Sequence, residues 1–126
     1  MATPANDRTV TVAGQSNCRA TDWSATNRLA LVCGGNFLVT ASDFDGSDVR
    51  VVTGTPCTVL PCTFVGGGVF SPSGTHLVLS EITFTSISPQ VVSAVVLGVA
   101  PDAASAPVTP IVTTDTTHLA APISWR

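Results

Sequence analysis

Three aspartates stand close together in the run DFDGSD, at Asp43, Asp45 and Asp48. Carboxylates at near-alternating positions can converge on a hard cation such as calcium, which prefers oxygen ligands. The run lacks the downstream glutamate that closes a calcium loop, and Asp45-Gly46 is the pair expected in a type I′ hairpin turn. We therefore read a turn here, with a bound cation as the alternative, and assign neither a metal nor any other cofactor. His76 and His118 lie far apart, and no HxH, HxxxH or HExxH spacing brings two histidines onto one metal.

Nucleophilic chemistry finds no better foothold. Serine is plentiful, but neither a GxSxG elbow nor an SxxK motif occurs. Gly66-Gly67-Gly68 precedes an apolar stretch and not a helix, so it cannot present amides as a phosphate cradle. It is expected to let the chain pass close to a neighbour. Glu81 is the single glutamate, so a paired-carboxylate glycosidase site would need an aspartate partner that nothing singles out. The expectation is a protein with no catalytic residues.

The four cysteines, Cys18, Cys33, Cys57 and Cys62, are even in number. Cys57 and Cys62 bracket CTVLPC, which suits either a short disulfide-closed loop or two buried thiols, and which departs from CxxC redox and zinc spacing. The state of Cys18 and Cys33 is left open. A bridge implies an oxidising compartment, extracellular or periplasmic, or a virion or surface assembly. The opening MATPANDRTV lacks the basic and apolar regions of a signal peptide.

Composition narrows the partners. The chain has 126 residues, 44% hydrophobic and only 10% charged, with a net charge of −3. All five cations are arginines, Arg8, Arg19, Arg28, Arg50 and Arg126, and they are scattered. Nucleic-acid binding needs a clustered basic face and is not expected. The apolar stretch from Val91 to Ala100 is too short to span a bilayer, so no membrane insertion is expected.

The elements that must position these residues read as all-β. Valine, threonine, alanine and serine dominate, in short runs punctuated by Gly, Pro, Asn and Asp. Strands are expected at about 8–12, 28–33, 36–42, 48–53, 76–84, 90–98 and 108–113. Internal repetition organises them. WSATNRLALV at 23–32 matches FSPSGTHLVL at 70–79: aromatic, serine, turn residue, apolar strand. Leu29 and Leu31 meet Leu77 and Leu79 once a single residue is inserted. Asn27 and Gly74 both tolerate positive φ, so each can end the turn in one conformation. Trp23, Phe70 and Trp125 then share one position and are expected to pack between repeats.

The stretch from Trp23 to Gly54 resembles a blade of the TolB-type (WD40-like, or PD40) β-propellers. FSPSG at 70–74 matches the family's W-S-P-D-G opening closely, with Ser73 and Gly74 forming the turn, and DFDG at 43–46 matches its hairpin. The first copy departs at Ala25, Thr26 and Asn27, and the second has no DxDG turn, only a longer loop. The resemblance implies two four-stranded blades within one β-propeller-like domain or fragment: an N-terminal strand at 8–14, blade one at about 20–56, blade two at about 69–115, and the stub of a further repeat at 120–126. Two blades do not close a ring. The implied function is a non-catalytic structural or protein-interaction module, completed by homo-oligomerisation, a larger assembly or further chain. A secreted or periplasmic propeller gripping a protein or glycan is the alternative, and a propeller accompanying an enzyme, with no active site of its own, is the third.

Overall fold

The computed structural model describes residues 11–114. They form eight strands: β1 (Cys18–Trp23), β2 (Arg28–Cys33), β3 (Phe37–Ser42), β4 (Arg50–Gly54), β5 (Cys62–Phe70), β6 (His76–Ile87), β7 (Gln90–Pro101) and β8 (Thr109–Thr114). These make two four-stranded antiparallel sheets, ordered β1-β2-β3-β4 and β5-β6-β7-β8. Each is a simple meander, in which every strand pairs with its sequence neighbour.

The strand that opens each sheet was not legible as one. Each unit begins before its aromatic: Trp23 ends β1 and Phe70 ends β5. Sheet one therefore spans 18–54 and sheet two 62–114, so the second unit starts at Cys62 and not near 69. Polar CRATDW and glycine-rich CTFVGGGVF both lack the β-branched alternation that marks a strand. Of the strand expected at 8–12 and the unit at 8–14, the described residues 11–14 are not in a strand. The remainder lies outside the described residues, as do the stub at 120–126, Trp125 and His118.

The repeat is exact enough in register to choose between the two alignments. Trp23 pairs with Leu29, and Phe70 with Leu77, so the second turn carries one more residue. In each turn the serine after the aromatic receives a hydrogen bond from the turn residue: Asn27 N–H to Ser24 O at 3.2 Å, and Gly74 N–H to Ser71 O at 2.9 Å. Asn27 (φ 62°) and Gly74 (φ 75°) share the left-handed conformation, as their residue types predict.

The hairpin at Asp45-Gly46 departs from expectation. Gly46 has φ 77°, but the other left-handed residue of the loop is Asp48 (φ 50°), not Asp45. The loop spans 43–49 and is held by Gly46 N–H to Ser42 O at 3.0 Å and Ser42 N–H to Ser47 O at 2.8 Å. It is thus a longer loop than a two-residue type I′ turn. Its counterpart between β7 and β8 spans 102–108, the same length and not longer.

One face of each sheet builds the shared core. Ala30, Val32, Leu38 and Val52 of sheet one meet Val65, Phe70, Leu77, Leu79 and Ala100 of sheet two. The glycines of β5 permit that contact: a Cβ on Gly68 would lie 2.5 Å from Leu38 Cδ1. Side chains of β1 reinforce the seam. Thr21 Oγ1 donates to Gly68 O at 2.8 Å, and Phe70 N–H donates to Asp22 Oδ2 at 2.8 Å. The polar residues of β1 thus hydrogen-bond the open edge of β5, which explains why β1 is not apolar.

Sheet one is also apolar on its other face, where Leu31, Cys33, Val39 and Ala41 cluster with Val12. There Cys18 and Cys33, register partners across β1 and β2, form a disulfide, and Cys57 bridges Cys62. Both bonds belong to oxidising surroundings. The Cys18–Cys33 bridge closes a separation of 15 residues and the Cys57–Cys62 bridge one of 5. In the chain-entropy account, replacing both cysteines of the first pair with serine lowers stability by about 3 kcal/mol, and of the second by about 2 kcal/mol. Urea unfolding of the two double variants checks this order.

Candidate functional site

The β1–β2, β3–β4, β5–β6 and β7–β8 connections lie at one end of their sheets, and a polar cluster joins the two sheets there. Asp102 follows directly on β7, and its backbone N–H donates to Thr75 O at 3.0 Å. That bond turns its carboxylate toward sheet one. The Asp102 side chain is only 4% exposed. Its carboxylate accepts from Thr40 Oγ1 at 2.6 Å and from Arg50 Nη1 at 2.9 Å, and lies 3.4 Å from Arg28 Nε.

Arg28, at the start of β2, is the buried cation of the group. Its Nη1 donates to Asp48 Oδ2 at 3.0 Å, and its Nη2 to Thr40 Oγ1 at 2.9 Å and Asp48 O at 2.7 Å. Its Nε completes no aligned hydrogen bond and is held by the Asp102 charge alone. Arg50 Nη2 closes the circuit on Asp48 Oδ2 at 3.2 Å. Two guanidinium groups face two carboxylates, so the formal charges cancel. Burying one member without the others would strand a charge away from water, which is far costlier than burying the set.

A cleft of about 690 Å³ opens over this cluster, with Thr26, Asn27, Thr75 and Ser47 at its sides. The hydroxyls around it are engaged locally. Ser24 Oγ and Thr26 Oγ1 are 2.7 Å apart, Ser73 Oγ and Thr75 Oγ1 2.8 Å, and Thr75 Oγ1 and His76 Nδ1 2.9 Å. The geometry fixes turns and joins sheets.

The three aspartates of DFDGSD do not converge. Asp43 Oδ2 accepts from Trp23 Nε1 at 2.7 Å, and Asp45 Oδ1 accepts from Ser47 N–H at 3.0 Å and Ser47 Oγ at 2.6 Å. Asp48 alone joins the ion cluster. Among the described residues no group of three histidine, cysteine, aspartate or glutamate side chains is placed to hold a metal.

Of the aromatics expected to pack between repeats, Phe70 is fully buried in the shared core, whereas Trp23 is 63% exposed. The difference is positional. Leu77, the partner of Phe70, faces sheet one, while Leu29, the partner of Trp23, belongs to the second face of sheet one. Thr40, Asp102 and the two arginines were not singled out in the sequence. The one available signal was that Asp102 matches Asp43: each follows the third strand of its unit and donates its amide to the preceding turn, Asp43 to Asn27 O at 3.0 Å.

Glu81 lies apart on β6, paired with Val65 and Val96. Half-buried among these neighbours, its carboxyl is pushed above the usual range by loss of hydration.

No family model, curated protein or solved structure matches this chain. The likeness to TolB-type blades therefore rests on the quoted motifs.

Two outcomes follow from these environments. Asp102→Ala removes the buried carboxylate that faces Arg28 Nε and Arg50 while Asp48 remains, and costs about 1–3 kcal/mol in urea unfolding. For Glu81 the folded state holds the proton more tightly than the unfolded one. Its contribution to stability is therefore present below the ordinary carboxylate range and is lost as pH rises through the raised value. Unfolding curves of wild type and Glu81→Gln, taken across that interval, should diverge in the variant's favour as pH rises.

Proposed function

We propose that the chain is a non-catalytic structural and protein-interaction module whose two sheets are neighbouring propeller-type blades, completed by other copies of the chain or by further repeats. One observation carries this reading. Trp23 and Phe70 hold the same place in their repeats, yet Phe70 is buried against the preceding sheet while Trp23 is exposed. Repeat two thus leans on repeat one through a face that repeat one also possesses, marked by Trp23, Leu29 and Leu31, of which Trp23 is exposed while Leu31 is already buried in a cluster with Val12. A head-to-tail contact of this kind repeats until it closes into a ring or continues as an array.

Other features support the same reading. Both meanders run in order, as blades do, and their first strands meet at the seam. Two sheets are fewer than the roughly four to eight that close a propeller. A trimer of two-blade subunits is one closed solution. The two disulfides support a setting outside the reducing cytosol, extracellular, periplasmic or on a surface assembly.

Sedimentation velocity at micromolar concentration tests the reading. The chain should sediment as a closed oligomer, and Trp23→Ala, at a largely exposed position, should shift it toward monomer while leaving its circular dichroism unchanged. A well-folded wild-type monomer overturns completion by other copies of the chain.

A further inference from the structure

The far end of sheet two, away from the ion cluster, is an uncharged tip where exposed aliphatic side chains stand among exposed Thr85, Ser88, Gln90 and Ser93. Strands β6 and β7 run 12 residues each, against 6 in β2 and β3, so their hairpin extends past sheet one. Four of the exposed large hydrophobics gather at that end: Val59 (78% exposed), Leu60 (41%), Ile87 (52%) and Val91 (45%). The register places them at the same end of the sheet, with Ile87 and Val91 on opposite faces of the hairpin. Cys62 and Val92 both pair with Phe84, Ile87 pairs with Gln90, and Val59 and Leu60 sit inside the Cys57–Cys62 loop. Behind the tip, Phe64 and Phe84 pack edge-to-face at 5.4 Å.

Charge is missing from this arm to an unusual degree. Between Arg50 and Asp102 the sequence holds one charged residue, Glu81, which lies on β6 well short of the tip. The disulfide and the hairpin hold the apolar side chains outward, where flexible loops would fold them back. The exposed aliphatic surface is on the order of a few hundred Å², short of the roughly 800 Å² per partner that a stable protein interface buries. The tip also lacks the tryptophan, tyrosine and arginine that anchor such interfaces. Shallow burial in the headgroup–acyl boundary of a bilayer needs only apolar side chains free of charge, with backbone groups satisfied by the hairpin.

We propose that Val59, Leu60, Ile87 and Val91 form a lipid-contacting tip that enters the surface of a bilayer without crossing it. This goes beyond the sequence expectation of no membrane insertion, which concerned a spanning segment. Among the described residues no helix is long and apolar enough to cross a membrane. With no cation in the arm, attachment is hydrophobic and indifferent to lipid charge.

Vesicle co-sedimentation of the whole chain tests this. The protein should bind phosphatidylcholine vesicles and phosphatidylserine-containing vesicles alike, with no loss on raising salt. The combined variant Val59→Ser, Leu60→Ser, Ile87→Ser and Val91→Ser should lower the partition coefficient about tenfold or more. Its circular dichroism and lipid-free sedimentation should match wild type, so this test and that of blade assembly fail separately. Failure to bind either vesicle overturns the proposal, as does salt-sensitive binding to phosphatidylserine alone. A fall in lipid-free mass of the serine variant also overturns it, by making the tip a contact between protein copies.

Discussion

The arrangement depends on one buried exchange of charge. Asp102 comes from sheet two, while Arg28, Arg50 and Thr40 come from sheet one, and the carboxylate is almost wholly out of water. An ion pair of this kind adds little net stability compared with an apolar substitute, but it tolerates very few alternative arrangements. The apolar surfaces of Leu38, Phe70, Leu77 and Leu79 attract the two sheets without direction. The polar cluster supplies direction at one end, and the bonds of Thr21 and Asp22 to β5 supply it along the seam. The β7–β8 loop adds a third tie, with Ser105 N–H donating to Val51 O at 2.8 Å and Ala106 N–H to Val52 O at 2.9 Å. Hydrophobic packing holds the sheets close, and polar contacts set how they face each other.

That division of labour shows why some features were legible in the sequence and others were not. The repeat was legible because a strand-turn-strand unit needs an aromatic stop, a serine and a residue tolerant of positive φ, and Asn27 and Gly74 meet that need locally. Apolar strands such as LALV and LVLS announced themselves through β-branched and aliphatic runs. Strands β1 and β5 did not, because their composition answers to a partner in the other sheet. Thr21 and Asp22 are polar in order to bond β5, and Gly68 is bare in order to admit Leu38. Long-range constraints of this sort leave no periodic trace.

The site was harder still. DFDGSD concentrates aspartates in six residues and invites a metal reading, yet its members serve an indole, a turn and an ion pair. Asp102, which does most to organise the cluster, stands alone between a proline and an alanine. Its partners lie 52 and 62 positions away, at Arg50 and Thr40. Only the three-dimensional register of the two repeats brings them together. The contrast between buried Phe70 and exposed Trp23 is likewise invisible in the alignment that equates them, and it is what gives the repeat a direction.

The claim that a buried charge exchange orients the two sheets is tested most directly by a double-mutant cycle across the seam. Urea unfolding of wild type, Arg50→Gln, Asp102→Asn and the double variant gives the coupling energy between the two positions. The account predicts a coupling of about 1.5 kcal/mol or more, because the two residues form a direct, largely buried ion pair at 2.9 Å. Additivity to within about 0.5 kcal/mol would contradict it, and would leave the orientation of the sheets to apolar packing alone.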